Sequence, residues 1–411
     1  MRKDFLFRML PYGHGRLCAE QQCTLDTQIV LKPFFSYLEN KKISYVLFNL
    51  LRVLSFALVF FPFYVQAKSI NKNNNHKSMN IILFIGDGMG LAQWQTGMVM
   101  SDGQLNIKRM HSIGLMQTNS QTDFIGDGPS NGTAIASGVN THKGYIGIDV
   151  DEKPVKSIME YATQHKIATG IVSANTLFEG SIAPFVAHVK SRMQTEDIAK
   201  AYVELTPNVF IGGGMHYFTA QKDGQNLLET LKNKGYHVVK SMNEMRSIHD
   251  GKLAGLISET NMPDISQGRG NSFAESIHTA INILNQSENG FILLAGDMFV
   301  DRASHACNAE LVGRETIDFD KAIGIALDFA EKEGNTLVLV AGGPEASGMV
   351  LVGGDITKHE VTAKWAMQGM IHTGTLAPVF SYGPGAERFQ GIIKNTDLFF
   401  HMKDLLLDEN K

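Results

Sequence analysis

Cysteine is scarce, with three residues in 411. Cys18 and Cys23 fall in an N-terminal prefix unlike the rest of the chain, so only Cys307 remains beyond it. That leaves no internal disulfide framework, and Cys307 reads as a small buried residue. Strong charge of either sign is missing too: 37 Lys and Arg stand against 41 Asp and Glu, a formal net charge of -4 with no basic block. Such a balance argues against nucleic acid as a partner. Low-complexity tracts and internal repeats are not evident, which removes solenoids and linker-dominated chains from consideration. What is present is ordinary globular composition, 44% hydrophobic and 19% charged, over a length that suits one large α/β domain or two smaller ones.

The N-terminus does not read as fold. Lys41 and Lys42 precede an apolar stretch, 43–65, interrupted by Arg52 and followed by the small-residue ending Val65-Gln66-Ala67. This pattern over 41–67 predicts a secretory signal peptide with 53–61 as its apolar heart, and hence a periplasmic or secreted protein. The competing reading is an uncleaved membrane anchor facing out of the cytoplasm, because the stretch approaches spanning length. Residues 1–40 make a poor prefix for a signal, and an over-extended gene start is expected, with translation beginning nearer Leu38. Residues 68–78 (KSINKNNNHKS) read as a polar linker into a domain covering 79–411.

From Met79 onward strand-like and helix-like segments alternate. Strands are expected at 79–86, 114–117, 168–172, 209–211, 291–294, 336–340 and 377–382. Helices are expected around Val155, Ile158, Met159 and Ala162, and at 195–205, 225–234, 272–284, 318–333 and 395–406. The alternation predicts an α/β fold: a large, mostly parallel central sheet with helices on both faces. The stretch from Tyr217 to Gly270 is less regular and reads as a lid or an insertion.

The run NIILFIGDGMG (80–90) carries the strongest local signal. Its unbroken apolar segment suits a central strand covered on both faces, and Gly86, Gly88 and Gly90 allow tight turning and close approach. Asp87 therefore falls at the carboxyl end of a buried strand, where parallel sheets place their ligands. Asp301 and His305 follow the strand at 291–294 in a D-x-x-x-H pattern, His372 precedes the strand at 377–382, and Arg192 closes the segment VAHVKSR (186–192). Two imidazoles and a carboxylate make a sensible zinc set, and a planar guanidinium suits phosphate oxygens. Singly, each residue has a plainer reading: a helix-capping acid, or a surface or satisfied core histidine.

Taken together these segments resemble the alkaline phosphatase family from about Met79 to Leu406. Further carriers are NGTAIASGVNTHKGYIGID (131–149), VSANTLFEGSIAPFVAHVKSR (172–192), LDFAEKEGNTLVLV (327–340) and HTGTLAPVFSYGPGA (372–386). The resemblance implies a phosphomonoesterase that uses two Zn2+ ions and a Mg2+ and is often a homodimer. In that family a serine at a helix N-terminus attacks the phosphate, and zinc-bound hydroxide then hydrolyses the phosphoserine. Asp301, His305 and His372 match the ligands of the first zinc. Asp87 matches the acid bridging the second zinc and the magnesium, and Arg192 matches the phosphate-binding arginine. Ser181 stands where a magnesium-binding threonine is usual, and Glu179 where an acid contacts the magnesium's water shell.

At four positions the pattern fails. Gly128, in Asp127-Gly128-Pro129, stands at the nucleophile; Gly343-Pro344 stands where the second zinc takes an Asp-His pair; Gly296 stands at a magnesium glutamate. Ser130 is the nearest substitute hydroxyl, with a plainer role as an N-terminal helix residue. Asp297 could replace the missing glutamate, and Glu345, in a loop after 336–340, could approach the second metal. The resulting expectation is a metal-dependent phosphomonoesterase acting on phosphate monoesters. Its alternative is a catalytically impaired relative that keeps the fold, one zinc site and anion binding. Hydrolysis of diesters or sulfates is a third reading, for which position 128 supplies no nucleophile.

Overall fold

The computed structural model describes residues 78–407. The expected prefix, the signal or anchor segment and nearly all of the polar linker lie outside the described residues. Among the described residues no helix is long and apolar enough to cross a membrane.

The strands are β1 (Asn80–Gly88), β2 (Ser112–Gln117), β3 (Ala168–Thr176), β4 (Val209–Gly213), β5 (Tyr236–Val239), β6 (Lys252–Ser258), β7 (Phe291–Asp297), β8 (Thr336–Glu345), β9 (Met349–Asp355), β10 (Glu360–Trp365), β11 (Ala377–Tyr382) and β12 (Gly391–Lys394). One ten-stranded sheet runs β12-β2-β11-β8-β1-β7-β3-β4-β6-β5, and β9 and β10 form a separate antiparallel hairpin. Within the large sheet only β11 runs antiparallel to its neighbours, β8 and β2.

β1 sits near the middle of this sheet, paired in parallel with β7 and β8. Its apolar run has no exposed surface. Side chains alternate across a strand, so Ile81, Leu83 and Ile85 enter the core on one face while Ile82 and Phe84 enter the core on the other. Burial of each such side chain stabilises the fold by roughly 1.5–3 kcal/mol, which locks β1 at the centre. The helices Leu91–Met100, Ser272–Leu284 and Ala309–Glu333 contribute to the second core, and Ile158–Gln164, Thr195–Leu205 and Asn395–Leu406 to the first.

Three expectations need correction. The Tyr217–Gly270 stretch is no lid: it contributes β5 and β6, which extend the parallel sheet. The helix expected at 318–333 begins at Ala309, where the Asn308 side chain accepts from the Leu311 amide. Its early turns bury Glu315, Asp318 and Asp320, which interrupt the apolar period. The first two pair with buried Arg269 and the third accepts from the Asn106 and Ile107 amides. Val155 is not helical; the helix starts at Ile158 behind a reciprocal Ser157–Glu160 cap.

Candidate metal centre

The carboxyl ends of β1, β7 and β8 converge. Asp87 is the penultimate residue of β1 and Asp297 the last of β7, and Asp297 is in register with Gly86. Across β1, Gly86 pairs with Gly342 and Gly88 with Glu345, so the two residues Gly343-Pro344 oppose the single residue Asp87. This is a β-bulge, a place that tolerates a proline without an amide to donate. Gly342, Gly343, Pro344 and Glu345 therefore belong to β8 rather than to a loop after it.

Gly88 has φ +69°, and a Cβ there would stand 2.6 Å from the Asp301 Cα. The absence of that carbon lets the helix Phe299–His305 close on the end of β1. Asp301 and His305 lie on this helix, and His372 joins them through an isolated bridge between Ala346 and His372. Asp301 Oδ1 stands 3.1 Å from His372 Nε2 and 3.2 Å from His305 Nε2. One donor atom from each of the three residues falls within 4.8 Å of the others. Burial disfavours charge on Asp301, but the two imidazoles outweigh it and hold the carboxyl below its ordinary range. Burial likewise opposes charge on His372, and Asp301 outweighs it, raising His372 above its ordinary value.

Asp87 is 4% exposed, and its Oδ1 has no hydrogen-bond partner among the described residues. Burial, then the charge of Asp301, pushes its carboxyl up to about 7 against the pull of His372 and Arg192. Arg192 is half-buried. It has no hydrogen-bond or ion-pair partner among the described residues, and its charge acts on both Asp87 and Glu179.

Ser181 is buried with its Oγ unpartnered. Glu179 Oε1 accepts from Asn175 Nδ2 at 2.5 Å and Arg302 Nη2 at 3.3 Å, while burial pushes this carboxyl up to about 7. Asp297 Oδ1 accepts from the Phe299 amide at 2.6 Å and its Oδ2 is unpartnered.

A buried polar atom without a partner costs about 1–3 kcal/mol, so a cluster of them is suited to holding a cation. Asp301, His305 and His372 fit a zinc ion on donor type and spacing. A second zinc is not fitted: Gly343 and Pro344 carry no donor, and a Cβ at 343 would run into the Asp87 carboxylate. The magnesium glutamate has no counterpart either. The space in front of Gly296 is taken by Ile182, whose Cγ1 would lie 2.6 Å from a Cβ at 296. Asp297, offered as its substitute, keeps only one free oxygen.

Two substitutes for lost groups are engaged elsewhere. Ser130 is fully buried at the third residue of the helix Gly128–Ser137, its Oγ donating to Asp127 Oδ1 at 2.7 Å and accepting from the Asp127 amide at 3.2 Å. The hydroxyl thus completes a cap, the plainer of its two roles. Glu345, buried, accepts four hydrogen bonds, two on each of its carboxylate oxygens. Sequence reasoning missed Ser347, whose Oγ stands 3.0 Å from His305 Nδ1; no local motif marks it. Cys307 is half-buried with φ +53°, ending the Asp301–His305 helix rather than filling the core.

A family model described as "Alkaline phosphatase" matches residues 78–361. Alkaline phosphatase of Escherichia coli (strain K12) is 29% identical over 408 residues, covering 80% of this chain and 86% of that protein. Alkaline phosphatase 4 of Bacillus subtilis (strain 168) is 26% identical, covering 81% and 89%. Among solved structures, alkaline phosphatase from the Antarctic bacterium TAB5 is 33% identical with a TM-score of 0.76, covering 80% of this chain and 98% of that one. A mutant of the TAB5 enzyme, 34% identical, was solved with Mg bound in its M3 site.

Proposed function

The chain belongs to the alkaline phosphatase family, and from that premise we propose that it is a phosphomonoesterase acting outside the cytoplasm with one zinc ion rather than the family's full set. The observation that carries this reading is the Asp301–His305–His372 cluster, complete beside unpartnered Asp87 and Arg192. Zinc in that cluster would supply Lewis-acid polarisation of a phosphoryl oxygen. Arg192 would hold the phosphoryl group through its guanidinium fork. The N-terminus of the helix Gly128–Ser137 adds favourable electrostatics for an anion. The Asp87 carboxylate lies against this end of the helix, where a Cβ at Gly128 would stand only 2.8 Å from Asp87 Oδ2. The magnesium position keeps Ser181 and half of Asp297 as donors, a weaker set than the zinc cluster.

Export rests on the apolar segment at 43–65 and its small-residue ending. Cell fractionation that finds the protein in the cytoplasm would refute it.

A second reading is favoured by Gly128 and the buried Ser130 hydroxyl: binding of phosphate without turnover. Purified protein supplied with Zn2+ and Mg2+ is to be assayed on an aryl phosphate at alkaline pH against a His305→Ala control. Turnover above the control, with about one zinc per chain by metal analysis, supports the first reading. Phosphate binding with no turnover above the control replaces it with the second, and two tightly held zincs would contradict both.

A further inference from the structure

Beside Gly343-Pro344 stands one buried acid that the zinc reading leaves without a role. Glu345 ends β8 and is 5% exposed. Its Oε1 accepts from Gln93 Nε2 at 2.8 Å and from the Met349 amide at 3.1 Å. Its Oε2 accepts from the Gly348 amide at 3.1 Å and from Thr373 Oγ1 at 2.5 Å, while its own carbonyl accepts from the Thr373 amide at 2.8 Å. Thr373 and Gly348, among these donors, each adjoin a residue of the metal centre. Thr373 follows His372. The Gly348 and Met349 amides close a turn in which Ser347 and Gly348 both have φ +64°, a conformation an L-residue such as Ser347 rarely adopts unaided.

That turn presents Ser347 to His305. Ser347 Oγ stands 3.3 Å from the Gly369 carbonyl and 3.0 Å from His305 Nδ1; with its proton directed to the carbonyl it accepts from His305 Nδ1–H. This fixes the tautomer in which His305 Nε2 carries the lone pair and faces Asp301. The same turn is tied to the end of β1 by the Ala346 amide, which donates to the Gly88 carbonyl at 3.3 Å. Gln93, whose Oε1 accepts from the Gly90 amide at 3.0 Å, links Glu345 to the segment just after Asp87.

We propose that Glu345 is a positioning residue for the metal centre, one carboxylate that sets the His305 tautomer through the Ser347 turn and the place of His372 through Thr373. This rests on the zinc reading given above. Outer partners of metal ligands typically contribute about 10–100-fold in metal affinity. Glu345→Gln puts an NH2 in place of one carboxylate oxygen, facing groups that are themselves donors, so it loses two of the four bonds and removes the charge from the other two. Thr373→Val and Ser347→Ala each break one link.

The test is Zn2+ affinity by chelator competition on the full chain, with circular dichroism and melting of the metal-free protein as the fold control. The visible spectrum of the Co2+-loaded protein gives a readout that general destabilisation does not move. Glu345→Gln is expected to weaken Zn2+ binding by about 10–100-fold and to change the Co2+ spectrum, and the two single-link variants are expected to weaken it less. Affinities within twofold of wild type in Glu345→Gln and Thr373→Val, with the fold retained, overturn the proposal. Should Glu345→Gln not fold, Thr373→Val and Ser347→Ala decide it alone. Wild-type protein that binds no Zn2+ tightly defeats the zinc reading and this inference together. Tight wild-type binding indifferent to these variants defeats this one only.

Discussion

The Asp87 carboxylate occupies the space that a side chain at Gly343 would need. A Cβ built on Gly343 stands 3.1 Å from the Asp87 Cα and closer still to its Oδ1. Asp87 has thus settled against the bulge left by Gly343-Pro344, and reversing one substitution does not recreate the family's second zinc site. Gly343→Asp alone is expected to destabilise the protein by about 1–3 kcal/mol, from overpacking and from a second buried carboxylate. Zinc should not rescue it, because no imidazole stands at 344. The triple variant Gly128→Ser, Gly343→Asp, Pro344→His supplies both ligands and a nucleophile, and is expected to bind a second zinc and gain activity. Melting curves with and without zinc, with metal counts, check this; full rescue of Gly343→Asp by zinc would show that Asp87 swings aside freely.

The magnesium side is closed in the same manner. Ile182 is 1% exposed and fills the volume in front of Gly296. Gly296→Glu should therefore be strongly destabilising. Ile182→Ala makes room and should partly relieve it, giving a coupling of about 0.5–3 kcal/mol in a double-mutant cycle. Strict additivity of the two changes in denaturant unfolding would mean that Ile182 is not what excludes the longer side chain.

The first zinc site stands in contrast, because the Asp301 carboxylate reaches both His305 and His372. Zinc that binds only the folded state stabilises it, by about 2.7 kcal/mol when free zinc is a hundred times the dissociation constant. Melting temperature should rise with zinc in the wild type and fall back on chelation, with little response in Asp301→Asn or His305→Ala. A zinc response of equal size in those variants would place the ion elsewhere.

Much of this was legible in the sequence where two signals coincided. Thr195–Leu205, Ser272–Leu284 and Asn395–Leu406 match their expected bounds because apolar periodicity and helix boundaries agree there. Asp301, His305 and His372 were legible as donor types, although only the fold shows that one carboxylate oxygen touches both rings. What stayed hidden was where polar residues do the work of core residues. Glu315 and Asp318 concealed the first turns of a buried helix because their partner, Arg269, is remote in sequence. Gly343-Pro344 read as a loop because bulges use the same residues as turns. Glu345 and Ser347 carry no local signature, since their roles depend on partners brought near by the return of the chain through 369–373.

The pair His188–Glu160 gives a pH dependence away from the metal ligands. His188 Nδ1 donates to the Gly147 carbonyl at 2.6 Å and Nε2 stands 3.3 Å from Glu160 Oε2. Burial opposes charge on both, but each partner outweighs it, so His188 is raised above 6.5 and Glu160 lowered below 4.5. The histidine's contribution is complete below its unfolded value and is lost as pH rises through the raised folded value. The glutamate's contribution is present above its unfolded value and is lost on acidification. Together they stabilise most between about 4.5 and 6.5. Urea unfolding should show stability falling from pH 6 to pH 9 more steeply in wild type than in His188→Gln. Parallel profiles would assign the fall to other groups.

Ser130 separates the two roles available to the last hydroxyl near the nucleophile position. Its Oγ and amide both bond the Asp127 side chain, and Asp127 Oδ2 accepts in turn from the Gly144 amide at 2.8 Å. Loss of a helix-capping interaction costs about 0.5–2 kcal/mol. Ser130→Ala is therefore expected to lower stability within that range and to leave any phosphatase turnover within a few-fold of wild type, since a fully buried hydroxyl directed at Asp127 cannot reach a phosphoryl group without unwinding the first turn. An acid-quenched reaction with labelled substrate should trap no phosphoserine in either protein. Turnover abolished in Ser130→Ala, with a phosphoenzyme trapped in wild type, would establish instead that the first turn opens and that Ser130 replaces the hydroxyl missing at Gly128.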